Sequence, residues 1–437
     1  MEQCTWLLWL AGWWGLGQLA YGEPGPYVLC LSLASHLRVP PPFGQVPPLL
    51  DVLMTYLIGH STFYACLFGG LFCLSSSLWR PCWLLSSASC AWASLRRRQA
   101  LSLLELQPQP RPPQPWLTLL HPYNYFFLSE VPGATEPVRI QRIHPPTLRV
   151  PIDLWQQAPA AAGLAPAAPR PVLILLHGGA WRGGGARVSP QGPLLQALAA
   201  DGFLVVSFEY RRRLGTQWPM QLEDCLAALE WLEAEAAGLG ADLSDVSIAG
   251  TSAGGHLAAL LLARSLGERP SSIRFRAALL FYPALDPGDR TGATVKSPFS
   301  CRCLGVRHGM SFLAWFFEVF VLWQDRRLWP SAEPLEALQS ASAASRELAE
   351  AWPPTLIVHG ELDGVVPVEH SRRFLTQLAA ASGTQKQGGD DLRSQDHLFT
   401  VPLARHTFEM AIGDLANASY DAAIAWLSHV RKDACAR

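Results

Sequence analysis

From residue 172 onward the chain alternates two hydrophobic periods. Val172-Leu-Ile-Leu-Leu176 is a continuous apolar run, as a strand covered on both faces requires. Phe203–Phe208, Val246–Ala249, Ala277–Tyr282 and Thr355–His359 are further strand-like runs. Gln221–Ala237 carries Leu222, Cys225, Leu226, Leu229 and Leu232 on one helical face. Gly254–Leu266, Val368–Ala381 and Tyr420–Arg431 also read as helices. Strands separated by helices of this length predict an α/β class, with a mostly parallel central sheet flanked by helices. Two segments break the alternation. Residues 284–350 hold the apolar run Phe312–Trp323, interrupted only by Glu318, and are expected to form a cap insertion. Residues 382–396 are polar and glycine-rich, and are expected to be a flexible loop.

The first hundred residues follow another pattern. Cys4–Gly22 and Val52–Trp79 contain no charged residue, and each is long enough to cross a bilayer. Pro81–Leu95 is uncharged but short, and Arg96-Arg97-Arg98 closes the region. Residues 1–100 are therefore expected to form a transmembrane or anchor region. Ala20-Tyr21-Gly22 offers a signal-peptide cleavage site, but Met1-Glu2-Gln3 lacks the positive start of a signal. The arginine triplet points the following domain to the cytoplasmic face. A proline-rich stretch at 105–115 makes residues 101–118 a semi-rigid linker to a catalytic domain at 119–437.

Charged residues are 16% of the 437, against about 25% in an average soluble protein. With 49% hydrophobic residues, a disordered chain is excluded. Lys+Arg 34 against Asp+Glu 35 gives a net charge of −1, which offers no sequence-wide footprint for nucleic acid. Six of the ten cysteines lie in the first 90 residues, and no CxxC pair marks a zinc site.

The chemistry is concentrated in four places. Gly250-Thr-Ser252-Ala-Gly254 is a G-x-S-x-G motif between a strand and a helix. That context makes Ser252 a nucleophile held on a sharp turn. His177-Gly178-Gly179-Ala180-Trp181 follows the Val172–Leu176 strand, and its glycines free backbone N–H groups to face a ligand. The N–H groups of Gly178, Gly179 and Ala253 are the candidate oxyanion hole. His177 itself reads as structural. A serine nucleophile needs a base, and the base needs an orienting acid, in the chain order Ser, Asp or Glu, His. Asp363, just past the Thr355–His359 strand, is the candidate acid, with Glu361 as its rival. His406 is the candidate base; His397, at the border of the 382–396 loop, is the alternative, while His370 and His429 fall inside helices.

Taken together, His177-Gly-Gly-Ala-Trp181, Gly250-Thr-Ser-Ala-Gly-Gly255, His359-Gly-Glu-Leu-Asp363 and Arg405-His-Thr-Phe408 resemble the α/β-hydrolase superfamily. Within it they are similar to the hormone-sensitive-lipase-like esterases, including arylacetamide deacetylases and prenylcysteine methylesterases. Phe208-Glu-Tyr-Arg211 matches that branch's Asp-Tyr-Arg pattern with Glu209 in place of Asp. The likeness runs from about residue 120 to 435. It implies an α/β-hydrolase fold and a Ser252–His406–Asp363 triad acting on carboxylic esters, with no metal or redox cofactor. The interval between Asp363 and His406 is stretched by the 382–396 segment, and most relatives lack a multi-span N-terminus.

The expected substrate is a hydrophobic small-molecule ester, and the expected second partner is membrane lipid. Prenylcysteine methyl esters, acylglycerols and aryl esters or amides all fit an apolar pocket lined by Phe312, Trp315, Phe316, Phe317, Phe320 and Trp323. For a eukaryotic chain the expected site is the endoplasmic-reticulum membrane. The competing readings are an amide or formamide hydrolase, a non-catalytic receptor on a hydrolase scaffold, and a membrane scaffold or transporter component. A full Ser252, Asp363 and His406 set speaks against the receptor.

Overall fold

A computed structural model of the chain describes residues 81, 84–88, 90–92, 95, 138–157, 168–185, 192–213, 215–268, 272–289, 310–338, 351–381, 396–402, 404–410 and 414–436. The chain packs as two compact units. One comprises residues 120–359, 368–399 and 422–437; the other comprises residues 1–119, 360–367 and 400–421.

The elements run β1 (Val138–Ile143), β2 (Ile152–Gln157), β3 (Arg170–Leu176), α1 (Gly192–Ala200), β4 (Leu204–Phe208), α2 (Met220–Leu239), β5 (Ala241–Thr251), α3 (Ala253–Glu268), β6 (Phe275–Phe281), α4 (Phe312–Phe316), α5 (Trp329–Ala332), β7 (Thr355–Gly360), α6 (Val368–Ala381), β8 (His397–Val401) and α7 (Asp414–Ala436). The eight strands form one sheet in the order β1-β2-β4-β3-β5-β6-β7-β8. From β4 to β7 the pairings are parallel, as the unbroken apolar runs predict. Val172–Leu176, Leu204–Phe208 and Leu356–Val358 are buried.

The strands β1 and β2 are antiparallel additions that the hydrophobic pattern does not announce. Their sequences, VRIQRI and IDLWQQ, mix polar and apolar residues because β1 lies at the sheet's edge. Arg142 stands directly opposite Asp153, and its guanidinium donates to that carboxylate at 2.9 and 2.6 Å. The ion pair marks the register where hydrophobic alternation does not.

Helix α2 buries Leu222, Cys225, Leu229 and Leu232 of the face its periodicity predicts, and leaves Leu226 half-buried. It stops at Gly240, whose left-handed backbone (φ 62°) lets its N–H reach back to the carbonyls of Ala236 and Ala237. Burial pushes the Cys225 thiol far above its ordinary range, so it behaves as a small core hydrophobe.

The apolar run Phe312–Trp323 is not one continuous α-helix. Ser311 caps α4 by accepting from the Ala314 N–H at 3.1 Å, and the chain then widens into a π-turn over Phe317–Val321. The extra residue per turn puts Phe317, Val321 and Leu322 inside and leaves Phe320 and Trp323 exposed. Burying Phe317 alone contributes about 1.5–3 kcal/mol. Residues 290–309 and 339–350 of the expected cap lie outside the described residues, as do 382–395 of the expected loop. Asp396 closes that segment by accepting from the Thr355 N–H at 3.0 Å.

The linker 101–118 and the stretches Cys4–Gly22 and Val52–Trp79 also lie outside the described residues. Among the described residues, no helix is long and apolar enough to cross a membrane. The described part of Pro81–Leu95 is helical at 84–88 and 90–92, with Leu84, Leu85, Trp92 and Leu95 exposed.

Candidate active site

Ser252 is the single residue between β5 and α3, and its φ of 51° is left-handed. A non-glycine residue rarely adopts that conformation; here three backbone bonds hold it. Its N–H donates to Phe281 O at 3.0 Å, and its carbonyl accepts from the N–H groups of His256 and Ala284 at 3.1 and 3.2 Å. The turn is possible because two neighbours lack a Cβ. A Cβ on Gly250 would meet Gly254 O at 2.5 Å, and one on Gly254 would meet Leu176 O at 2.0 Å. Strand-to-helix packing is therefore backbone against backbone, which pushes Ser252 out of the sheet to a half-buried position.

Beside it runs the loop after β3. A Cβ on Gly178 would lie 2.9 Å from Thr251 Oγ1 and 3.5 Å from Ser252 Cβ, so the backbone at 178 rests directly against the serine turn. Gly179 has a φ of 123°, and its carbonyl accepts from the N–H groups of Gly183 and Arg182 at 2.7 and 3.0 Å. Ala253 opens α3, and the first N–H groups of a helix have no partner within it. Those donors and the helix dipole favour negative charge at this end.

His177 is buried and holds the loop, as expected. Its ring stacks on Tyr210 with centroids 4.3 Å apart, and Nδ1 lies 2.7 Å from Gly178 O. The Tyr210 hydroxyl donates to His177 O at 2.9 Å. Glu209 sits beneath, its carboxylate 3.5 Å from His177 Nε2 and 3.2 Å from the Arg212 guanidinium. The Phe208-Glu-Tyr-Arg stretch thus braces the glycine loop from below.

A second support was not legible in the sequence. Trp181 is buried, and its Nε1–H donates to His256 Nδ1 at 3.1 Å, while His256 Nε2 donates to Ala332 O at 2.8 Å. Both ring nitrogens are engaged in the neutral tautomer, and burial lowers the His256 pKa from 6.5 to about 4. Phe317 meets Trp181 edge-on at 4.7 Å and stacks on Trp329 at 5.2 Å. This cluster links the glycine loop, the helix behind Ser252 and the inserted segment. The available signal was the position of His256 one helical turn after Ser252.

In the other compact unit, Asp363 and His406 form a pair. The Asp363 Oδ1 accepts from the N–H groups of Val365 and Val366 at 2.9 and 2.8 Å; its Oδ2 lies 2.8 Å from His406 Nδ1. The Asp363 side chain is fully buried and that of His406 is 8% exposed. Two backbone bonds lace their turns together: Glu361 N–H to Val401 O at 3.0 Å and Leu362 N–H to Ala404 O at 2.8 Å. Glu361, the rival acid, is half-buried, while His397 is buried within β8. His370 and His429 lie in α6 and α7.

Residues 173–387 match the family model described as alpha/beta hydrolase fold. The chain is 31% identical over 268 residues to ethyl acetate hydrolase of Pseudomonas putida, an alignment covering 57% of this chain and 70% of the relative. This chain belongs to the α/β-hydrolase family. It is also 30% identical over 288 residues to esterase LipC of Mycobacterium tuberculosis, covering 64% of this chain and 62% of the relative. Alignments with esterases LipC and LipQ and the probable carboxylic ester hydrolase LipM span 62%, 54% and 49% of those relatives. Among solved structures, a bacterial heroin esterase superposes with a TM-score of 0.51 at 24% identity, covering 68% of this chain and 84% of that one. Carboxyl esterase 2 of Tuber melanosporum superposes with a TM-score of 0.51 at 20% identity, covering 69% and 88%. At these identities the structures speak for the α/β-hydrolase fold alone.

Proposed function

We propose that this α/β-hydrolase is a serine carboxylic ester hydrolase acting on hydrophobic esters. The observation that carries the reading is the left-handed Ser252 between β5 and α3, with the Gly178 backbone packed against it. In the mechanism, His406 takes the Ser252 proton through Nε2 as the oxygen attacks the ester carbonyl. Asp363 holds the imidazole by its Nδ1–H and stabilises the imidazolium. The oxyanion is met by the N–H groups of Gly178, Gly179 and Ala253. The imidazolium then protonates the leaving alkoxide, and water, activated by the same histidine, releases the acid from the acyl-enzyme. Relatives named as esterases and as an ethyl acetate hydrolase support the ester class.

The apolar character of the substrate rests on Phe320 and Trp323, which are 42% and 49% exposed, with Phe320 packed against Trp315 and Phe316. Membrane association belongs to the same reading. Leu84, Leu85, Trp92 and Leu95 are the other large hydrophobic residues exposed among those described, and they continue the uncharged N-terminal stretches. We infer a membrane-held enzyme whose ester substrate partitions into lipid. Prenylcysteine methyl esters, acylglycerols and aryl esters or amides all fit this reading, on the motif resemblance above.

The deciding experiment compares the full chain with Ser252→Ala. Turnover of p-nitrophenyl butyrate should fall by about 10⁴-fold or more, and labelling by a fluorophosphonate probe should disappear. Retained turnover in Ser252→Ala would remove the serine from the chemistry; absent labelling of the unaltered chain would favour a non-catalytic receptor. Alkaline carbonate extraction tests the membrane claim, since release of the chain into the supernatant would refute an integral anchor.

A further inference from the structure

Asp286, Asp289 and His370 meet in the interior of the unit that comprises residues 120–359, 368–399 and 422–437. The two acids come from the turn after β6, where the Asp289 N–H closes back onto Asp286 O at 2.9 Å. His370 comes from the first turn of α6. One donor atom from each residue lies within 4.8 Å of the others. Asp286 and His370 have no exposed surface, and Asp289 is 7% exposed.

The imidazole is the telling member. Neither His370 nitrogen has a hydrogen-bond partner, and Nε2 faces Asp289 Oδ1 at 3.5 Å, beyond a good hydrogen bond. A buried polar ring aimed at buried carboxylates, yet bonded to nothing, departs from the rule that interior polar groups are satisfied. Arg373, one turn further along α6, lies 3.8 Å from Asp286. A cation coordinated by one nitrogen and two carboxylate oxygens would give the imidazole the partner it lacks.

We propose that Asp286, Asp289 and His370 form a binding site for a divalent cation of the zinc type. Imidazole nitrogen with carboxylate oxygen is a donor set that Zn²⁺ takes in tetrahedral geometry, leaving a fourth position for water or a further oxygen. Metal–ligand distances of about 2.0–2.2 Å require donors about 3.4 Å apart, so binding draws the three atoms slightly together. The ion would cross-link the start of the 284–350 insertion to α6. No step of the ester chemistry passes through it.

The test uses untagged full-length protein, stripped with chelator and then exposed to Zn²⁺ alone. The unaltered chain should retain one equivalent more zinc by elemental mass spectrometry than His370→Ala, and its thermal midpoint should rise by several degrees where the variant's does not. Co²⁺ in place of Zn²⁺ should produce visible d–d bands that weaken in the variant. Equal zinc retention by the two proteins, or no cobalt bands in the unaltered chain, would overturn the site. If His370→Ala does not fold, Asp289→Asn, which keeps the side-chain shape, replaces it under the same two criteria.

Discussion

The His406 Nδ1 lies 2.8 Å from Asp363 Oδ2, while Asp363 Oδ1 is occupied by the N–H groups of Val365 and Val366. The two oxygens therefore have separate work: one fixes the turn, the other fixes the imidazole tautomer. Asp363→Asn keeps a carbonyl oxygen for the turn but can present an amide N–H to Nδ1, favouring the tautomer that cannot act as base. We expect kcat for p-nitrophenyl esters to fall by about 10³- to 10⁴-fold with an unchanged circular dichroism spectrum. A loss below about tenfold would transfer the acid's role elsewhere, with Glu361 first in line.

Trp181 and His256 make a prediction about pH. The folded-state pKa of His256 is about 4, below its ordinary 6.5, because burial disfavours the imidazolium. A depressed histidine contributes stability that is complete above about pH 6.5 and is lost as pH falls toward 4. The full difference is worth roughly 3 kcal/mol. Urea unfolding should therefore show His256→Gln much less stable than the unaltered protein at pH 7.5. The gap should shrink by about 2–3 kcal/mol at pH 4.5. A pH-independent gap would mean that His256 is not buried as a neutral ring.

Gly254 and Gly202 both precede or follow tight turns, but for different reasons. A Cβ at 254 would lie 2.0 Å from a backbone oxygen, whereas Gly202 has a φ of 93° and nothing within 4 Å of its missing Cβ. Gly254→Ala should cost more than about 4 kcal/mol or prevent folding, and Gly202→Ala should cost only about 1–2 kcal/mol from strained backbone. Chemical denaturation of the two variants checks the contrast.

Phe320 is 42% exposed, so shortening it should leave the core intact. We expect Phe320→Ala to change stability by less than about 1 kcal/mol. If acyl chains rest on this face, KM for p-nitrophenyl octanoate should rise by about 3- to 10-fold while that for the acetate stays within about twofold. Equal effects on both esters would place the acyl chain elsewhere.

The central strands and long helices were legible because burial on both faces of a parallel sheet writes continuous apolar runs such as Val172–Leu176 into the sequence. The nucleophile turn was legible for a related reason: backbone contact at Gly250 and Gly254 admits only glycine, so the steric demand appears directly as residue type. Strands β1 and β2 were not legible, since the feature that marks their register is a cross-strand ion pair, Arg142 with Asp153, rather than a period. The same limit hid the π-turn at Phe317, the Trp181–His256 support and the Asp286–Asp289–His370 cluster. Local pattern reports what each residue must avoid touching or hide from water. Which distant side chain becomes its partner is decided only when strands, helices and insertions pack, because that choice depends on distances no one-dimensional spacing encodes.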